Sequence, residues 1–309
     1  MKIVFMGTPQ FAKGVLESLI NNNYNVVAVV TQPDKKIGRK QIVKYSPVKE
    51  LALKLNIPVI QPIKIRKDYS EILNYKPDLI ITAAYGQIIP KELLEYPKYK
   101  CINVHGSLLP KYRGGAPIQK AIMKGEKKTG ITIMYMGVKM DAGDILSQEA
   151  LEISESDTSS SLFKKMEYLG ASLLIKSLPD ILNGNVKGVK QDESKVTYAY
   201  NISKSEEYIN FYRDVNEVYN HIRSLLESPV GNARIEGKTL KFHKVKKIAD
   251  IHGEAGEFIG LIDNNIAIAC QNGTILVEEI QQSGKKIVNG KSYYNGFGRN
   301  LVGKFFDKE

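Results

Sequence analysis

The chain has 309 residues, 43% of them hydrophobic and 25% charged, with a mean hydropathy of -0.23; this balance excludes a fibrous or disordered chain, and the length exceeds what one hydrophobic core usually serves. No stretch offers the ~20 uninterrupted apolar residues of a membrane span, and residues 1–8 run straight into a strand pattern with no secretory leader, so a cytoplasmic protein is expected. The formal charge of +11 and sequence pI near 9.3 favour a polyanionic partner.

Apolar strand-like runs cover residues 2–7, 26–31, 79–85, 101–105 and 131–136; between them, residues 11–20, 48–55, 69–73 and 118–123 carry helical spacing. This alternation predicts an α/β fold built on a doubly wound, mostly parallel sheet, whose ligands sit outside the carboxyl ends of the strands. Leu162, Met166, Leu169, Leu173, Leu174, Leu178 and Ile181 recur at helical spacing behind the polar start Asp157, Thr158 and Ser159, which predicts a long helix closing the first domain. Residues 1–186 are therefore expected as one domain and 187–204 as a polar linker. Residues 205–309 are expected to begin with a helix over 205–226 and to continue as short, glycine-punctuated strands, the pattern of a small OB-like β-barrel. Lys and Arg outnumber acids 29 to 19 in residues 1–203 but only 15 to 14 in 204–309. The basic surplus thus lies in the first part, with a local strip at Lys238, Lys241, Lys244, Lys246 and Lys247 in the second.

Chemistry concentrates in two runs. In residues 101–117, CINVHGSLLPKYRGGAP, a strand over 101–105 projects Asn103 and His105 from one face, because strand side chains alternate. The Gly106, Pro110, Gly114 and Gly115 that follow describe a loop able to bring its backbone close to a ligand. In residues 137–145, GVKMDAGDI, the carboxylate of Asp141 follows another strand and can reach the first site. An amide donor, an imidazole and a carboxylate suffice for acyl transfer to an amine: a base for the amine proton, a donor for the oxyanion, and an acid for the leaving nitrogen. The plainer alternatives are that Asn103 satisfies loop backbone, that His105 is structural, and that Asp141 forms a turn with Gly143. There is no Gly-x-Ser-x-Gly elbow around Ser107, no Walker or Gly-x-Gly-x-x-Gly pattern after the first strand, and no metal-ligand spacing among His105, His221, His243, His252, Cys101 and Cys270. A serine hydrolase, a nucleotide fold and a metal site are accordingly not expected, and the two cysteines read as reduced, buried thiols.

Across nearly its whole length the sequence resembles the methionyl-tRNA formyltransferase family, through FMGTP at 5–9, TQPD at 31–34, SPVK at 46–49, AYG at 84–86, NVHGSLLP at 103–110, Arg113 and Gly114, MDAGDI at 140–145 and QDESKVTY at 191–198. The resemblance implies a formyltransferase fold, 10-formyltetrahydrofolate as co-substrate without a metal, and a monomer that formylates the methionine of initiator methionyl-tRNA. It implies that Asn103, His105 and Asp141 are catalytic and that Ser107, Leu108, Leu109 and Pro110 hold the folate. It also implies that Lys35, Lys36, Arg39, Lys40 and Lys44 in a basic loop, with Lys241, Lys244 and Lys246 on the barrel, meet tRNA. Folate-dependent formylation of an amino sugar, hydrolysis of formyl-folate, and a non-catalytic RNA-binding protein are the competing readings; the first has no need of a basic loop together with a lysine-striped barrel. Relatives commonly carry a proline-rich, tryptophan-containing segment where this chain reads ESPVGNA at 227–233 and lacks Trp altogether.

Overall fold

The computed structural model describes residues 1–37, 41–226 and 228–308. In chain order the first elements are β1 (Ile3–Gly7), α1 (Gln10–Asn21), β2 (Val26–Val30), β3 (Lys35–Ile37), β4 (Ile42–Lys44), α2 (Pro47–Lys54), β5 (Val59–Ile60), α3 (Ser70–Asn74), β6 (Leu79–Ala83), α4 (Lys91–Glu95), β7 (Cys101–His105), α5 (Pro117–Met123), β8 (Lys128–Tyr135), β9 (Ile145–Glu152) and α6 (Ser159–Leu182). Seven of these strands form one sheet in the order β5-β2-β1-β6-β7-β8-β9. The first five run parallel, and β8 and β9 turn antiparallel. Every residue of β1 and β6 is buried, as a parallel strand covered on both faces requires. Val4, Met6, Ala28, Val30, Ile80 and Cys101 pack with Ile72 and Leu93 on one face. On the other, Gly170 of α6 comes so close to Val104, Ile131 and Phe11 that a Cβ there would sit 3.1–3.4 Å from them.

Because the chain leaves β1 for β2 and β5 and then returns to place β6 on the opposite side of β1, the order reverses between β1 and β6. Ligand crevices open at such reversals. The loops at this point are tied together: Thr8 Oγ1 and Gln32 Nε2 donate to the Tyr85 carbonyl at 3.1 and 3.0 Å, and Gln61 Nε2 donates to the Gln32 carbonyl and to Asp34 Oδ1, both at 2.9 Å. The basic stretch after Asp34, expected as a loop, contains the β3–β4 hairpin, with Lys35 opposite Lys44. Helix α2 starts where Ser46 accepts from Lys49 N at 3.1 Å and Pro47 occupies the first turn, where a missing N–H costs nothing.

The remaining elements are α7 (Val215–Ser224), β10 (Asn232–Ile235), β11 (Lys238–Ile248), β12 (Phe258–Ile262), β13 (Asn265–Cys270), β14 (Gly273–Gln282), β15 (Val288–Asn289) and α8 (Gly290–Tyr293). They build a curled antiparallel sheet ordered β10-β11-β14-β13-β12, with β15 on β14. Residues 303–307 pair with Phe258 and Gly256 beside β12, while Asp307 N donates to the Arg234 carbonyl of β10, so the C-terminal segment spans the open side of this half-barrel. Phe211, Phe242 and Phe306 fill it, with ring centroids 4.8–6.2 Å apart. Tight turns join the strands: Glu236 and Gly237, and then Asp263 and Asn264, all have positive φ, as two-residue hairpins of the I′ type require.

The expected 205–226 helix is shorter than its pattern. Residues 205–207 make a single 3₁₀ turn, and Tyr208 and Ile209 instead pair with Asn232. The helix begins only where Asp214 accepts from Asn216 N and Glu217 N at 2.7 and 3.4 Å. A side-chain cap and a partner strand together outcompete propensity over the first ten residues. Two compact units result, one comprising residues 1–117, 128–152 and 163–200 and the other 118–127, 153–162 and 201–309. Among the described residues no helix is long and apolar enough to cross a membrane.

Candidate active site

Asn103 and His105 lie two residues apart on β7, which puts them on one face of the strand by alternation. Thr82 Oγ1, on the adjacent β6, donates to Asn103 Oδ1 at 2.8 Å. With its oxygen so engaged, the Asn103 amide keeps Nδ2 as a donor that has no hydrogen-bond partner among the described residues. His105, 5% exposed, places Nε2 3.0 Å from the Tyr112 carbonyl. A carbonyl can only accept, so Nε2 carries a hydrogen, and in the neutral ring Nδ1 is an acceptor facing Asp141 Oδ2 at 3.7 Å. With the imidazole neutral, two acceptor atoms face one another across a gap wider than a hydrogen bond, a pairing that a donor such as an amine N–H completes.

Asp141 arrives by a constrained path. Its φ is +48°, left-handed backbone that Asp tolerates better than most residues, at a cost of order 1–3 kcal/mol. Its Oδ2 accepts from Gly114 N at 2.8 Å. Two residues on, a Cβ at position 143 would lie 1.8 Å from the Tyr135 carbonyl oxygen, so only glycine lets the chain turn back along β8 here. Tyr112 is likewise left-handed, with φ +61°; its N–H donates to Thr197 Oγ1 at 2.9 Å while its carbonyl receives His105. The aspartate and the histidine are therefore both fixed through backbone conformations that the surrounding structure over-determines.

Arg113 and Gln191, which the sequence marked only as motif residues without a role, supply this constraint. Arg113, 2% exposed, donates from Nε and Nη2 to Gln191 Oε1 at 3.0 and 2.8 Å and from Nη2 to Glu193 Oε1 at 2.8 Å. The Arg113 hydrogen bond holds the Glu193 carboxyl below its usual value. Gln191 Nε2 in turn donates to the carbonyls of Asp141 and Gly143, both at 2.8 Å. A guanidinium clamps an amide, and the amide clamps the loop that carries the carboxylate. The signal in the sequence was the family resemblance over Arg113 and QDESKVTY at 191–198, which gave these residues no role; the stretch pairs its backbone with residues 113–116 and with Ile145.

In the folate segment expected over 107–110, the Ser107 hydroxyl donates to the Lys111 carbonyl at 2.7 Å and is buried, and Leu109 is buried too. Thr132 Oγ1 donates to the Ser107 carbonyl at 2.6 Å and accepts from Leu109 N at 3.1 Å, while Gln148 Nε2 donates to the Leu109 carbonyl at 2.9 Å. Half-buried Leu108 and Pro110 remain as side-chain surface. Of the basic residues, Lys35, Lys36 and Lys44 stand exposed on the hairpin; Arg39 and Lys40 lie outside the described residues. On β11, a bulge around His243 keeps Phe242 and Val245 inward and Lys244 and Lys246 outward. Lys244 and Lys246 both ion-pair with Glu278, Lys244 at 2.7 Å, whereas Lys241 has no ion pair among the described residues.

The family model described as formyl transferase matches residues 1–178, and that of the formyl transferase C-terminal domain matches residues 201–298. The curated "Methionyl-tRNA formyltransferase" of Bacillus cytotoxicus is 49% identical over 300 residues, 96% of each chain. The chain belongs to the methionyl-tRNA formyltransferase family. A second member, the "Methionyl-tRNA formyltransferase" of Bacillus mycoides, is 48% identical over the same share of both chains. Among solved structures, HypX from Aquifex aeolicus in complex with tetrahydrofolic acid aligns with a TM-score of 0.68 at 17% identity, over 98% of this chain and 48% of that one, so this chain spans about half of HypX. The N-formyltransferase from Helicobacter canadensis, in complex with folinic acid and dTDP-3-aminofucose, aligns with a TM-score of 0.69 at 21% identity, over 91% and 99% of the two chains. These two likenesses show the shared fold.

Proposed function

We propose that the protein transfers the formyl group of 10-formyltetrahydrofolate to the free amino group of methionine on initiator methionyl-tRNA. The observation that carries the choice of acceptor is near-half identity with methionyl-tRNA formyltransferases over almost the full length of both chains. The donor set suits the reaction: a formyl oxygen needs a hydrogen-bond donor, which Asn103 Nδ2 offers, and an attacking amine needs acceptors, which His105 Nδ1 and Asp141 Oδ2 offer across their 3.7 Å gap. When bound, the folate would supply the formyl carbon on an aryl-substituted nitrogen, a better leaving group than the nitrogen of an alkyl amide.

Asp141, with its second interaction spent on Gly114 N–H, receives the proton that the amine loses as it attacks. Positioned general-base catalysis contributes roughly 10²–10⁴ in rate. Asn103 donates Nδ2–H to the carbonyl oxygen as charge builds there, and a single such donor contributes about 2.7–4 kcal/mol. His105, with Nε2–H held by the Tyr112 carbonyl and Nδ1 facing Asp141, relays that same proton from the carboxyl to the departing folate nitrogen as the bond from that nitrogen to the formyl carbon breaks. No covalent enzyme intermediate is needed. In this reading residues 107–110 meet the folate, with Ser107 and Leu109 keeping the loop's shape while Leu108 and Pro110 supply the contact. Lys35, Lys36, Arg39, Lys40 and Lys44 meet the acceptor end of tRNA and Lys241, Lys244 and Lys246 its backbone. The protein acts as a cytoplasmic monomer, with residues 1–186 for catalysis, residues 205–309 for tRNA, and a connecting stretch over 187–204 whose part up to residue 200 packs on the catalytic unit.

The test is transfer of labelled formyl from 10-formyltetrahydrofolate to methionyl-tRNA or to a panel of nucleotide-linked amino sugars. Label on the tRNA alone is expected; label on a sugar alone, or release of free formate, would overturn the reading.

A further inference from the structure

Residues 197–200 run extended beside 113–116: Arg113 N donates to the Thr197 carbonyl at 2.9 Å, Ala199 N to the Arg113 carbonyl at 2.7 Å, and Ala116 N to the Ala199 carbonyl at 2.9 Å. Ala199 is buried by this pairing, so alternation turns Tyr198 and Tyr200 outward together. They are 53% and 62% exposed, and their rings lie 1° from parallel with centroids 5.5 Å apart. Neither hydroxyl has a hydrogen-bond partner among the described residues. Tyrosine rings of a folded chain ordinarily bury their faces, and a self-stacked exposed pair offers π-surface in the form that unpaired bases use. Position 114 must be glycine for this approach, since a Cβ there would sit 2.6 Å from the Ala199 oxygen. The N–H of that same Gly114 holds the Asp141 carboxylate. The stacked pair therefore rides on a segment one hydrogen-bonded layer from the reacting group. Lys187 and Lys190, exposed and without ion pairs among the described residues, precede it and suit a phosphate backbone.

We propose that Tyr198 and Tyr200 form a stacking platform for the unpaired bases at the 3′ end of the acceptor nucleic acid, setting the terminal sugar so that its aminoacyl group reaches Asp141. This rests on the function proposed above and adds to it where the single strand lies. A nucleobase is favoured over the folate pteridine because the platform is open to solvent and the same chain segment carries Lys187 and Lys190, exposed and without ion pairs among the described residues, as a polyanion's path should.

The probe is an initiator tRNA whose 3′-terminal base is 2-aminopurine, with fluorescence and affinity measured on the full chain. Wild-type protein is expected to quench the base, and the Tyr200→Leu and Tyr198→Leu variants are expected to bind roughly 5- to 150-fold more weakly with the quench reduced, the range that ~1–3 kcal/mol per stacked base implies. Tyr200→Phe keeps the ring and should behave as wild type. Wild-type affinity and quench in both Leu variants would overturn the platform, as would Leu variants that lose affinity for 10-formyltetrahydrofolate while binding tRNA normally. Formyl transfer to methionyl-tRNA by the same wild-type preparation separates the two claims: its absence overturns the proposed function, whereas its presence with unaltered Leu variants overturns only the platform.

Discussion

Removing the Gln191 amide should cripple turnover without emptying the site. Gln191→Ala deletes two hydrogen bonds to the carbonyls of Asp141 and Gly143 and two accepted from Arg113, all between 2.8 and 3.0 Å. Neutral hydrogen bonds contribute about 0.5–1.5 kcal/mol each and those to a charged donor about 1.5–3 kcal/mol, but Arg113 keeps Glu193 and water can reach the half-buried carbonyls. A net loss of roughly 2–4 kcal/mol in folding free energy follows, small enough for most of a protein of this size to remain folded. The catalytic effect is larger in proportion, because Asp141 sits at φ +48° and among the described residues its carboxylate keeps the hydrogen bond from Gly114 N alone. A carboxylate displaced by ~1 Å costs on the order of 10²-fold in rate. Steady-state kinetics on methionyl-tRNA should therefore show kcat lower by about 10²-fold and both KM values within a few-fold, with urea unfolding run alongside. A kcat within twofold of wild type, in a variant whose stability has fallen as expected, would refute the clamp.

Other expectations follow from single contacts. Gly143→Ala, which forces a Cβ to 1.8 Å from the Tyr135 oxygen, should lower stability by several kcal/mol and abolish turnover; a soluble, active variant would contradict the geometry. Burial pushes the Cys101 and Cys270 thiols up to about 12, so a thiol reagent at neutral pH should label neither until the protein is unfolded, and rapid labelling of the native chain would count against this packing. The hydrogen bond from Lys49, and then that from Gln61, hold the Asp34 carboxyl below its unfolded value of 3.8. Its folded pKa is depressed, so its contribution is present above that value and lost as pH falls through the folded pKa; Asp34→Asn should flatten the acid limb of a stability–pH curve, and an unchanged limb would dismiss the interaction. Replacing Lys241 by Glu should flatten the salt dependence of tRNA affinity more than the same change at Lys244, which already shares Glu278 with Lys246; equal effects would show that Glu278 does not screen the pair.

The sheet was legible because parallel strands such as β1 and β6 are apolar on both faces and alternate with amphipathic helices, so composition and period agree. Asn103 and His105 were legible as a pair from strand alternation alone, and the glycine two residues after Asp141 marked a turn. What the pattern could not reveal is long-range. Arg113 meets Gln191 across 78 residues, and nothing local distinguishes a clamping glutamine from a solvated one. Thr82 looks like any β-branched strand residue until β6 lies beside β7. The helix expected from residue 205 fails for the same reason: the apolar spacing of Tyr208, Ile209 and Phe211 is real, but a strand 23 residues away holds Ile209 N in the folded chain. Ser107 shows the converse, a motif serine whose hydroxyl closes its own loop.

The central claim is that the side chains of residues 103, 105 and 141 act on one carbonyl as a unit. A double-mutant cycle of His105→Ala and Asp141→Asn, read by single-turnover formyl transfer to methionyl-tRNA, tests this most directly. Each single change should slow the chemical step by roughly 10²-fold or more, and the double variant should be little slower than the worse single. Fully multiplicative losses, or near-normal rates in either single variant, would contradict a shared site.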